Sequence, residues 1–426
     1  ATELVWYVLG GAVKRLGVPL PPHYGEEALH GVSVGKCPFP DRCTTVFPPA
    51  SGSARSFNRT LWRAIGAAIG LEARTLWNTQ GGALSLRGPQ LNLQRDPRWG
   101  RNSNSPSEDP RLCGAYGAEV TLGMQNGAPV DTDTVTDGPN NFLLTAAEMK
   151  HFTAYGVEAN RMGFDANISL HDMADSYLVP MKIAVERANI SAAMCSYSAI
   201  NGTPSCANAW MNGQVLRSAW GWDGLIESDC GALTNIQSRF NYSKNGPETA
   251  AAAMRATCDV ACDTVYKNYL AQALAGGDLD LQHVRDSVRR LLKHRMKLGL
   301  FDPIGDQAVT KLTDPSAIHG PAHVQLAHEA AAQSIVLLQN PERILPLRSN
   351  TSGKTLAVIG PLANLTDAFL GDYAAKSCPG SAPAGFGNKS DAVKTATWCL
   401  QTALQEITKA NAGGETTFAA GCNDPN

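Results

Sequence analysis

The sequence lacks any long hydrophobic run. Its most apolar stretches, such as Ala192–Met194 and Ser334–Leu338, fall far short of the roughly 20 residues a membrane-spanning helix needs. It also lacks charge of one sign. Lys and Arg together number 36 against 38 Asp and Glu, so there is no basic field to hold nucleic acid or an anionic membrane. No C-x2-C pair and no histidine cluster accompany its cysteines, which argues against a zinc site or any other bound metal. Internal repeats and low-complexity tracts are absent, and no basic segment followed by an apolar core stands at Ala1, so the compartment must be read from other marks. These absences leave an ordinary globular composition, 43% hydrophobic and 17% charged, and predict a soluble protein.

What is present points to the secretory route. Asn-x-Ser/Thr sequons stand at Asn58, Asn167, Asn189, Asn201, Asn241, Asn350, Asn364 and Asn388. All are expected to be glycosylated except Asn201, which is expected to be buried. Eleven cysteines are many for a cytosolic enzyme. The close pairs Cys37/Cys43, Cys195/Cys206 and Cys258/Cys262 could each close a short loop, and the odd total leaves one thiol over.

A chain of 426 residues exceeds what one core supports, and two domains are expected. Apolar runs at Gly88–Leu93, Leu143–Phe152, Ser191–Tyr197, Gly224–Asp229 and Thr257–Asp263 read as strands. Amphipathic stretches such as Leu170–Ala188 and Ala207–Trp220 separate them, a βαβ alternation that implies an α/β, (β/α)8 TIM-like barrel. Leu279–Gly299 is a strongly amphipathic helix stopped by Gly299. The expected organisation is a catalytic barrel over 1–302, a linker over 303–325 rich in Asp, Pro and Gly, and an incomplete α/β sandwich domain over 326–426. In that last part, His328–Leu338 reads as helix and Thr355–Gly360 as a fully buried strand.

Barrel enzymes carry their chemistry where strands end. The polar groups there are Glu27 and His30; Arg95, Asp96, Arg98 and Arg101, with Glu108 and Asp109 following; Lys150 and His151; Tyr197; and Asp229. Such a ring suits a ligand covered in hydroxyls, which needs paired donors and acceptors. Asp229, ending GLIESDC, could serve as a carboxylate nucleophile at a barrel mouth or as an ordinary helix N-cap. Arg98 is expected in an ion pair with Glu108 or Asp109, and a core tyrosine with a satisfied hydroxyl is the plainer use of Tyr197.

Six ordered blocks resemble glycoside hydrolase family 3: GEEALHG (25–31), RDPRWGR with EDP (95–110), KHFTAY (150–155), R-x2-FDA (161–166), CSYSAINGTPSCAN (195–208) and WGWDGLIESDC (220–230). QSIVLLQN, LPL, LAVIGPLAN and LGDYA (333–374) resemble the opening of the family's second domain. The cysteine-bearing forms are closest to the eukaryotic β-xylosidase and α-arabinofuranosidase branch. The resemblance implies a retaining, exo-acting hydrolase that releases xylose from β-1,4-xylo-oligosaccharides of plant or algal cell walls. It implies Asp229 as nucleophile, Arg101, Lys150, His151, Arg161 and Tyr197 around the −1 sugar, and Glu27 on the far side of that ring. It implies no metal or organic cofactor. Asn104 stands where the family block carries glutamate, and Leu86-Arg-Gly-Pro-Gln90 replaces an aromatic-Trp-Ser/Thr-Pro-Asn segment. The family's general acid/base glutamate is expected beyond residue 426.

Overall fold

The computed structural model describes residues 25–34, 37–127, 142–303, 305, 307–347, 355–366, 370–374 and 400–421. Five strands form one parallel sheet in chain order: β1 (Glu26–Glu27), β2 (Ser85–Gln90), β3 (Ala146–Phe152), β4 (Ala192–Cys195) and β5 (Leu225–Ser228). A parallel bridge from Glu227 to Val260 continues it. The expected strand Thr257–Asp263 reduces to this bridge, so six of the eight positions of a closed barrel are seen among the described residues. Every residue of β3, β4 and β5 is buried. Strands covered on both faces read as continuous apolar runs, which is why the sequence announced them.

Helices cover the outside. α1 (Arg59–Gln80) and α2 (Pro110–Asn126) precede and follow β2. Asn58 caps α1 by accepting from Leu61 N at 3.2 Å, and Asp109 caps α2 by accepting from Leu112 N at 2.7 Å. The two helices pack backbone to backbone because Gly66, Gly70 and Gly123 carry no side chain: a Cβ at Gly66 would lie 2.2 Å from Val120 O. Buried Leu61, Ile65 and Ile69 point from α1 into the core, each contributing about 1.5–3 kcal/mol. α3 (Val179–Ala188) and α4 (Trp210–Ala219, π-helical) run between β3, β4 and β5. α5 (Ala232–Ser238), α6 (Gly246–Arg255), α7 (Val265–Ala275) and α8 (Leu281–Lys297) follow. Gly299, at φ +76°, ends α8 as its sequence predicts.

Beyond the barrel, α9 spans Pro321–Ser334, starting and stopping before the expected His328–Leu338. It packs on α1 through His323 Nδ1 to Glu72 Oε1 (2.8 Å) and Asn58 Nδ2 to Gln333 Oε1 (3.0 Å). We retain 303–325 as the proposed boundary between units, with α9 crossing its end. β6 (Thr355–Ile359) pairs in parallel with β7 (Glu415–Ala419), with α10 (Ala403–Ala410) between them. The expected burial of β6 is not met: its residues alternate between exposed and half-buried, and Ile359 is 68% exposed. The described residues supply this two-stranded sheet with too little cover to bury it.

Disulfides join Cys37 to Cys43 and Cys195 to Cys206. The third departs from expectation, since Cys262 bonds Cys230 and leaves Cys258 a buried free thiol. Cys258 and Cys262 flank the extended segment at Val260, where about 3.3 Å per residue carries near neighbours apart. Asn201 also differs: it is exposed, with its amide bonded to both backbone groups of Ile168.

Candidate active site

The carboxyl ends of the strands converge on one cluster. Asp229 follows β5 directly, its Oδ1 accepting the Cys230 N–H at 2.8 Å. Its Oδ2 has no hydrogen bond among the described residues and lies 3.4 Å from His151 Nε2. The N-cap of α5 is Gly231, so Asp229 is not used as a helix cap. Burial pushes its carboxyl above the ordinary aspartate value, opposed first by the Lys150 ammonium and then by the Cys230 N–H.

Lys150 and His151 end the apolar part of β3. Lys150 Nζ donates to Glu27 Oε2 of β1, and the two strands hold the pair across β2. His151 is fixed by Asn92, whose Oδ1 accepts the His151 N–H at 2.9 Å while its Nδ2 donates to the His151 carbonyl at 2.9 Å. Burial and then the cations Arg101, Lys150 and Arg161 hold its imidazole well below the usual histidine range. The ring is therefore neutral at ordinary pH.

Arg101 and Arg161 approach the cluster from the side, over aromatic rings. Arg101 Cζ lies 5.8 Å from the Tyr155 centroid, and Arg161 Cζ lies 5.1 Å from that of Tyr197. Arg161 also pairs with Glu158 at 3.0 Å. The Tyr197 hydroxyl donates to Cys230 O at 2.8 Å, so it is satisfied as a core tyrosine would be, yet its ring faces the same space. Glu27, Arg101, Lys150, His151, Arg161, Tyr197 and Asp229 thus form one connected set.

Other candidates lie elsewhere. Arg98 makes an exposed pair with Asp96 at 2.6 Å, and not with Glu108 or Asp109, because Asp109 is spent on capping α2. His30 is buried, bonding Phe47 O at 2.8 Å and Asp372 O at 2.6 Å. Of the glycosylation candidates, Asn167, Asn189, Asn241 and Asn364 are exposed and Asn58 is half-buried. Asn350 and Asn388 lie outside the described residues.

Sequence reasoning missed four participants. Tyr155 lies edge-on to His151 at 4.9 Å, and burial pushes its phenol up to about 12; it stood within the KHFTAY block. Asn92 and Glu158 work through His151 and Arg161. Tyr373, in the LGDYA block, accepts from Arg101 Nη2 at 2.9 Å and lays its ring 4.6 Å from Lys150 Nζ; nothing local in the sequence marked that contact.

A family description, glycosyl hydrolase family 3 N-terminal domain, matches residues 8–294. β-D-xylosidase 1 of Arabidopsis thaliana is 35% identical over 87% of this chain and 47% of its own length. β-xylosidase/α-L-arabinofuranosidase 1 of Medicago sativa is 36% identical over 87% and 48%. A GH3 exo-β-xylosidase in complex with a xylobiose aziridine probe superposes with a TM-score of 0.81 at 30% identity, covering 99% of this chain and 51% of that one. The β-glucosidase from Listeria innocua in complex with glucose follows at 0.76 and 27%, covering 96% and 49%. The chain spans about half the length of these relatives. The domain matched over residues 8–294 is a TIM-barrel-like α/β fold, and the chain belongs to glycoside hydrolase family 3.

Proposed function

We propose that this protein is a retaining, exo-acting glycosidase that releases xylose from the non-reducing ends of β-1,4-xylo-oligosaccharides. The observation that carries the reading is Asp229. One of its oxygens is held by a backbone N–H, and the other is unbonded beside His151 at the barrel mouth. A carboxylate so held can attack an anomeric carbon and form a glycosyl-enzyme that water then hydrolyses. Glu27 with Lys150 would take vicinal hydroxyls of the −1 sugar as acceptor and donor, and Arg101, His151 and Arg161 the remaining ones. Tyr197 would support the ring from one side. Hydrogen bonds that tighten on an oxocarbenium-like ring would lower the barrier. No general acid is assigned among the described residues.

The second reading changes the sugar. One relative's name pairs xylosidase with α-L-arabinofuranosidase, and a structural neighbour is a β-glucosidase holding glucose. A third, non-catalytic glycoprotein descended from such an enzyme, predicts binding without turnover. We further propose secretion, supported by the exposed sequons and by three disulfides among the described residues. Among the described residues no helix is long and apolar enough to cross a membrane. The test is NMR of the first product from an aryl β-xyloside with a good leaving group. β-Xylose appearing first supports retention; α-xylose appearing first overturns it, and faster release of glucose or arabinose moves the substrate class.

A further inference from the structure

We propose that Glu148 and Glu227 share one proton in the barrel layer directly beneath the sugar site, and that neutral Glu148 positions Lys150 toward the mouth. Side chains two apart along a strand share a face. Glu148 therefore lies one step below Lys150 on β3, and Glu227 one step below Asp229. A barrel interior at this depth is ordinarily filled by branched apolar residues. Here both carboxyls are 1% exposed.

Among the described residues, a single cation is hydrogen-bonded to the two carboxyls. Arg87 Nη2 donates to Glu227 Oε1 at 2.6 Å. Glu148 Oε1, Glu148 Oε2 and Glu227 Oε2 have no hydrogen-bond partner among the described residues. Buried carboxylate oxygens without donors, beside a second carboxylate, favour the neutral form strongly. A proton carried by Glu148 and donated to Glu227 Oε2 removes the repulsion and satisfies an atom on each side. Glu227 then stays ionised against Arg87. Arg87 stands where the family resemblance expects an aromatic segment, and it lies against Gly25, where a Cβ would come within 3.1 Å of Arg87 Nε.

The consequence falls on Lys150. The charged groups facing Glu148 are Glu227 of β5, Arg87 of β2 and Lys150 of its own strand. Asp229 faces Glu227 from above, and Glu27 of β1 faces Arg87. Asp259 belongs to another cluster, bonded to Arg217 and Arg290. While Glu148 is neutral, the Lys150 ammonium is bonded to Glu27 and faces Asp229, both at the mouth. Once Glu148 loses its proton, a further carboxylate, buried in the layer below, competes for that ammonium. The sugar-facing pair then comes apart.

This inference rests on the proposed function only for its activity arm. Infrared spectra at pH about 8, above the value of about 7 to which burial pushes Glu26, should show a neutral carboxyl band in the wild type. That band should vanish in Glu148→Gln. Wild-type stability should fall as pH rises from the ordinary glutamate range through the raised folded value, because a carboxyl raised in the folded state favours folding only while protonated. Glu148→Gln should lack that step. Labelling by an activated 2-fluoro-xyloside should decline about tenfold per pH unit on the alkaline side in the wild type, and stay level in Glu148→Gln. A missing wild-type band, a band surviving in Glu148→Gln, or identical alkaline behaviour of the two proteins overturns the proposal. Should Glu148→Gln fail to fold, an alkaline titration of the wild type decides: the decline in stability must level off where the carboxyl band is lost. If neither protein labels at any pH, the glycosidase reading fails, and the infrared and stability arms still decide the shared proton.

Discussion

Tyr373 closes over Lys150, its ring centroid 4.6 Å from the ammonium and its hydroxyl 2.9 Å from Arg101. The contact brings a segment outside the barrel onto the cations expected to hold the −1 sugar. The same segment is anchored by His30, bonded to Asp372 O at 2.6 Å. Tyr373→Phe should keep the ring over Lys150 and lower kcat/KM on an aryl β-xyloside only a few-fold. Tyr373→Ala, losing about 1–2 kcal/mol of cation–π contact, should lower it about tenfold or more. Equal effects of the two substitutions would show that the ring is not what matters.

Gly66 and Gly123 are predicted to tolerate no side chain. Alanine ordinarily favours a helix over glycine by about 1 kcal/mol. At these sites, however, its Cβ would meet backbone atoms at 2.2 Å. Overpacking of that kind costs about 1–3 kcal/mol or more and should outweigh the propensity gain. Urea unfolding of Gly66→Ala and Gly123→Ala measures the sign directly, and a stabilised variant would contradict the packing described for α1 and α2.

The Asp229 charge should cost stability. Its folded-state value is raised by burial, so the aspartate favours folding below its ordinary range, and that advantage is lost as pH rises through the raised value. Asp229→Asn should therefore be more stable than wild type at neutral pH, while the gap closes below about pH 4. Thermal unfolding across this range checks it; a gap that widens toward acid would reverse the sign.

Asp259 is predicted to be the costliest charge to remove. It is fully buried, bonded to Arg217 at 2.8 Å, to Arg290 at 2.7 Å and to the Ile226 N–H at 2.9 Å. Asp259→Ala leaves two arginines without their carboxylate and should lose about 3–5 kcal/mol in denaturant unfolding. A loss under 1 kcal/mol would mean that the arginines find other partners.

The parts legible in the sequence were those whose local pattern carries the physics. Buried parallel strands gave continuous apolar runs ending in Lys150, Tyr197 and Asp229, and α8 announced its own stop at Gly299. β1 was marked only by Glu27 at its end, because two residues make no apolar run. Tyr373 could not be read because its partners lie far along the chain. Proximity in sequence misled for Cys258 and Cys262, which an extended backbone separates. Glu148 and Glu227 sit within strands recognised for their apolar neighbours, and their burial is visible only once the sheet has formed.

The most direct measurement is labelling with an activated 2-deoxy-2-fluoro-β-xyloside, followed by peptide mass spectrometry. Its good leaving group departs without a general acid, so the test addresses Asp229 alone. The account predicts a fluoroxylosyl adduct on the peptide containing Asp229, absent in Asp229→Asn. An adduct on another residue would contradict the assignment of the nucleophile. Silence with the xylosyl, glucosyl and arabinosyl probes alike would contradict the glycosidase itself.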